Sequence, residues 1–70
     1  MPGRDKIPQR NNPIMKFFEY SHLPVPLQDI SAPFAGLAQF INLEIADSAE
    51  KSAGLRKLLE AKDCIVRASL

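Results

Sequence analysis

DSAEKSAGLRKLLEAKDCIVRASL, residues 47–70, opens with a helix-start signal and then keeps helical spacing for about six turns. Asp47, Ser48, Ala49 and Glu50 read as a capping box, with Asp47 as the N-cap and Glu50 reaching back to its N–H. Leu55, Leu58, Leu59, Ile65 and Val66 then fall on one stripe, and Ala53, Ala61, Cys64 and Ala68 form an opposite face of small side chains that admits a second helix. Lys62 interrupts the apolar stripe. An unpaired ammonium is costly to bury, so Lys62 must snorkel to an edge, pair with a carboxylate such as Glu19 or Glu44, or face a bound anion. Arg56 with Glu60, and Asp63 with Arg67, stand four residues apart and can pair along the surface.

Upstream, Pro26 suits the first turn of a helix, where its missing N–H costs nothing. From there Leu27, Ile30, Phe34, Leu37, Ile41 and Ile45 step by 3, 4, 3, 4 and 4, which predicts a first long helix close to a heptad seam. Pro33 lies inside this run. Either the helix is kinked there, or a short turn ending near Ser31 precedes a helix that Ser31 caps. The short connection to the second helix makes the two antiparallel. Gly36, Phe40 and Leu43, with Ala32 beside them, cluster on the face opposite the seam. Two apolar faces require two packing partners, and the chain has one other long helix, so Phe40 and Leu43 are expected in a subunit interface. The alternative is that residues 14–23 fold back over that face.

Residues 14–23, IMKFFEYSHL, hold Phe17, Phe18 and Tyr20 within four positions and read as an anchor, extended or one turn long, packed across the hairpin. Residues 1–13 are rich in proline and poor in apolar side chains, and read as a flexible arm carrying Arg4, Lys6 and Arg10. The expected fold is therefore all-α: an antiparallel helical hairpin over 14–70, preceded by a short aromatic segment and assembling as a homo-oligomer.

Seventy residues make one domain at most and bury little apolar surface. The single cysteine, Cys64, closes no internal disulfide, and one Cys with one His, His22, gives no zinc spacing. Association is the remaining means of stabilisation, unless the helix packing is unusually good. A formal net charge of +1 lacks the bulk signature of a nucleic-acid coat or a membrane-surface protein. With no apolar run near the roughly 20 residues that span a bilayer, and no signal-peptide core, the cytoplasm is the default compartment.

No catalytic constellation, phosphate loop or metal motif stands out, no cofactor is implied, and the chain reads as a binder rather than an enzyme. Cys64 sits in a small-residue face and reads as a packed thiol. His22 has no partner at fixed spacing and is expected to orient the turn or touch a ligand. A nucleotide site needs a flat aromatic surface and cations for phosphate. Phe18 and Tyr20 offer the first; Arg56, Lys57, Lys62 and Arg67 offer the second, so one site combines them only where segments or subunits meet.

The order Phe18, Glu19, Tyr20, then His22 and Pro24, then Leu37, Ala38 and Ile41, then Glu50, Lys51, Ser52, and finally the run from Leu55 through Ala61, is similar to a known pattern. It resembles the small helical-hairpin proteins with which bacteriophages sponge up cyclic-oligonucleotide immune signals, the anti-CBASS sponges and a related anti-Thoeris sponge. The resemblance covers about 50 residues, everything after the arm. It implies immune evasion in the cytoplasm of an infected cell by a homo-oligomer, a hexamer in the anti-CBASS members. Cyclic dinucleotides would lie in pockets between protomers, with cyclic trinucleotides at separate sites in some members. It places Tyr20 against a base and Arg67 as the basic residue near the end of the last helix. The chain departs from the pattern twice: the interval from Tyr20 to His22 is one residue longer, and the first helix has no Lys or Arg where those sponges often carry a phosphate contact. Lys62 is a candidate replacement. The competing expectation is an oligomeric hairpin that docks on another protein and takes no nucleotide.

Overall fold

Asn12 begins the part of the chain that the structure, a computed structural model, describes, which runs over residues 12–70. The expected arm with Arg4, Lys6 and Arg10 therefore lies outside the described residues, apart from Asn12 and Pro13. Asn12 Oδ1 accepts from the Ile14 N–H at 3.4 Å, and Pro13 takes a first-turn position that needs no N–H, so a 3-10 helix forms over Pro13–Phe18. Three residues per turn aligns Met15 with Phe18 and Ile14 with Phe17. Phe18 is buried, Ile14 and Met15 pack beside it, and Phe17 stays exposed.

Glu19 ends that helix and folds the next turn on its own side chain. Its Oε1 accepts from the Tyr20 N–H, the Ser21 N–H and the Ser21 hydroxyl at 3.2, 3.4 and 3.3 Å. Gln28 Nε2 then donates to the carbonyls of Ser21 and Leu23, at 3.3 and 2.7 Å, which ties the turn to the first turn of helix α1, Val25–Glu44.

Helix α1 runs unbroken through Pro33, so the arrangement in which Ser31 caps a separate helix is not the one adopted. Ser31 lies inside α1 and is buried. Pro33 is exposed, and so is Asp29, whose carbonyl loses its intrahelical donor on a side of the helix that faces solvent. Helix α2, Ala49–Ala68, follows after four residues and completes a helical hairpin. Its N-cap is Ser48, not Asp47: Ser48 Oγ accepts from the Lys51 N–H at 3.0 Å. Shifting the cap by one residue places Lys51 rather than Glu50 at the third helical position and frees the Asp47 carboxylate for the Lys51 ammonium, 2.8 Å away.

The core is small: Phe18, Ala38 and Leu55, ringed by Ile14, Met15, Phe34, Ala35, Ile41, Leu58 and Leu59. Helix α1 turns Ser31, Ala35, Ala38 and Asn42 inward, a face rotated by roughly 80° from the large-residue seam read from the sequence. Phe34 and Ile41 still reach the core, but Leu37 and Ile45 are 49% and 48% exposed. The physical reason is close approach: Ala38 leaves the space that the fully buried Leu55 of α2 fills. On α2 the inward stripe is Leu55, Leu58, Leu59 and Val66, whereas Ile65 is exposed. Cys64, expected to be packed, is exposed within the single chain, as are Ala61 and Ala68. Among the described residues there is no strand, and no helix is long and apolar enough to cross a membrane.

Candidate functional site

Two lysines lie on the inward stripe of α2, and their partners separate their roles. Lys51 has a side chain only 1% exposed, and its ammonium donates to the carbonyls of Asn42 and Ile45 at 3.0 and 2.9 Å and to Asp47 Oδ1 at 2.8 Å. Three N–H bonds meet three acceptors, so this lysine is spent on structure. It closes the C-terminal end of α1, whose own last turn contains no basic residue. Lys62 is eleven residues on, and its side chain is 12% exposed. Among the described residues its carboxylate partner is Asp63 at 3.0 Å, not Glu19 or Glu44.

Beyond Lys62 the hairpin and the segment 16–23 diverge around a cavity of about 300 Å³. Lys16, Lys62 and Arg67 bring cationic groups to it, with His22 alongside. Phe17, Leu23 and Val66 supply its apolar wall, and Glu19 and Asp63 its carboxylates. The volume lies at the small end of the range for ligand sites.

The charges do not cancel. Glu19 is engaged by the donors of its own turn. Lys16 Nζ lies 5.3 Å from the centre of the Phe17 ring, and the exposed ring carries the ammonium on its face. Arg67 Nη2 donates to Cys64 Sγ at 3.5 Å, and a thiol is a weak acceptor. The surface pair expected between Asp63 and Arg67 thus gives way to Asp63 with Lys62. Three cations, one of them carboxylate-paired, face a partly apolar hollow, and that arrangement suits an anion attached to a flat or apolar body.

Of the residues singled out from the sequence, His22, Lys62 and Arg67 meet in this cavity. Phe18 is 2% exposed and belongs to the core. With half-buried Tyr20 it lines a second cavity of about 160 Å³, shared with Met15, Ala35 and Gln39. Glu19 borders both cavities and is the wall between them. Arg56 is exposed and lines neither. Six residues of the larger cavity are not among those singled out as ligand-binding: Lys16, Phe17, Glu19, Leu23, Asp63 and Val66. The signal for Phe17 was its spacing, since the period of three that buries Phe18 with Met15 turns Phe17 outward. Lys51 also escaped, although the helical-wheel argument that singled out Lys62 applies to it equally. Among the described residues no three metal-ligating side chains converge.

No protein-family model matches the chain, and neither a curated protein nor a solved structure matches it.

Proposed function

We propose that the protein binds and sequesters a cyclic di- or trinucleotide without degrading it, acting as a bacteriophage sponge of the anti-CBASS or anti-Thoeris type in the cytoplasm of an infected cell. One observation carries this reading: Lys16, Lys62 and Arg67 converge on a hollow walled by an exposed phenyl ring, with one carboxylate pair among them. A phosphodiester sits against the cations and a base against Phe17. A cavity of about 300 Å³ takes one nucleotide unit, so the rest of the ligand would be held by a second protomer or by the neighbouring hollow beside Tyr20.

Assembly belongs to the same reading. Phe40 is 60% exposed and Leu37 nearly half exposed on the side of α1 turned from α2, while among the described residues three apolar side chains make up the buried core. Protomers joined through α1 would cover that surface, and a hexamer follows from the family resemblance.

Calorimetric titration of the full chain with a panel of cyclic di- and trinucleotides tests the proposal. A dissociation constant well below about 100 micromolar for at least one member is expected, since a sponge must outcompete a receptor. Unchanged ligand recovered after heating the complex would show sequestration, whereas cleaved ligand would make the protein an enzyme. The second reading, an oligomeric hairpin that docks on another protein, is favoured by the exposure of Phe40 and Leu37 and gains if no nucleotide binds.

A further inference from the structure

The pair formed by Lys62 and Asp63 is unusual for a helix. Successive residues diverge by about 100° around the axis and do not ordinarily face one another. Lys62 starts from the inward stripe and Asp63 from its flank, so their contact at 3.0 Å forms where both side chains reach one edge, the rim of the cavity. Lys51 on the same stripe shows what a permanently engaged lysine looks like, with two carbonyls and a carboxylate closing every donor. Among the described residues Lys62 has one carboxylate partner, and that partner's side chain is 44% exposed, free to turn into water when a competing anion arrives.

We propose that Asp63 is a built-in counter-ion for Lys62 that sets the charge this cavity accepts, admitting the singly charged phosphodiester and rejecting the doubly charged terminal phosphomonoester. The proposal rests on the nucleotide-binding reading above and adds a specificity residue to it. The rim holds Lys16, Lys62 and Arg67 against Glu19 and Asp63, an excess of one positive charge among these five side chains. A phosphodiester carries one negative charge and matches that excess. A terminal phosphate carries close to two at neutral pH and faces the displaced Asp63 carboxylate across a few ångströms. A like charge at the rim discriminates by repulsion, a route to specificity that adds nothing to the attraction for the accepted ligand.

The distinction has a chemical use. Opening a cyclic dinucleotide by hydrolysis turns one of its two phosphodiesters into a terminal phosphomonoester, so a site of this charge holds the intact signal more tightly than its spent form, which loses one of the two groups the cavity accepts.

The experiment compares three adenine- and guanine-containing cyclic dinucleotides with their linear 5′-phosphorylated counterparts, at about pH 7.5, where the monoester is largely dianionic. The full chain, Asp63→Asn, Asp63→Ser and Lys62→Gln are titrated by calorimetry, with circular dichroism confirming helix content. The full chain should prefer cyclic over linear by about tenfold or more, both Asp63 variants should narrow that ratio at least about fivefold by gaining affinity for the linear form, and Lys62→Gln should weaken both forms. A ratio that stays within about twofold in both Asp63 variants overturns the role of Asp63 while leaving nucleotide sequestration standing. Equal or tighter binding of the linear forms by the full chain overturns it as well. If no member of either series binds below about 100 micromolar, both readings fall together.

Discussion

Lys51 Nζ and Asp47 Oδ1 lie 2.8 Å apart across the turn that joins the two helices, and the same ammonium holds the Asn42 and Ile45 carbonyls. One side chain thus ties the end of α1, the connecting loop and the first turn of α2. Replacing Lys51 by Met keeps the stem and removes the charge. It leaves the buried Asn42 carbonyl without this donor, for an expected loss of about 2 kcal/mol in urea unfolding. Asp47→Asn should cost less than about 1 kcal/mol, because that carboxylate is largely exposed. Equal losses for the two variants would contradict the assignment of Lys51 as the central member.

Ser31 places a hydroxyl in the helix interface, buried and with no hydrogen-bond partner among the described residues. Ser31→Ala removes an unsatisfied group and improves helix propensity, so the variant should be more stable by about 1 kcal/mol. A rise in the denaturation midpoint at unchanged slope checks this.

Leu55 is the largest fully buried side chain and fits against Ala38. Truncation to Ala is expected to cost about 2–5 kcal/mol, enough to abolish cooperative unfolding in a domain this small. Ile65→Ala, at an exposed position of the same helix, should cost under about 1 kcal/mol. Thermal melts of the two variants report which face of α2 is packed in solution.

Phe40 and Leu37 give the assembly prediction. Phe40→Glu should lower the mass measured by light scattering without loss of helical circular dichroism. A wild-type chain that is monomeric at every concentration tested would remove the argument for subunit contacts on this side of α1.

Binding should also weaken as salt is raised, because Lys16 and Arg67 are exposed cations. Arg67→Ala and Lys16→Ala are each expected to reduce affinity several-fold, whereas Arg56→Ala, which lines neither cavity, should leave it unchanged.

The helices, their order and the hairpin were legible because apolar spacing, Pro26 in a first turn and the cap signal around residues 47–50 are local properties of the chain, although the cap itself is Ser48 rather than Asp47 and Ser31 caps no helix. Which face of α1 turned inward was not. Large residues at Leu27, Ile30, Phe34, Leu37 and Ile41 make the stronger periodic signal, but the small set at Ser31, Ala35, Ala38 and Asn42 allows the helices to approach, and proximity decided the packing. The site was legible in part for a similar reason. Lys62 stood out as a charge on an apolar stripe, and Arg67 and His22 followed from chemistry and resemblance. Phe17 and Phe18 are adjacent in sequence, and a 3-10 turn rather than an α-turn sets which of the two is buried.

The fastening at Lys51 anchors one end of the hairpin and leaves the other to its apolar contacts. Hydrogen bonds gather around Asn42, Ile45 and Asp47, while the cavity lies toward the far end of α2, between Lys62 to Arg67 and the segment 16–23. Amide protection should therefore decline along α2 from Leu55 toward Arg67, and a ligand seated in the cavity would raise it most where it starts lowest.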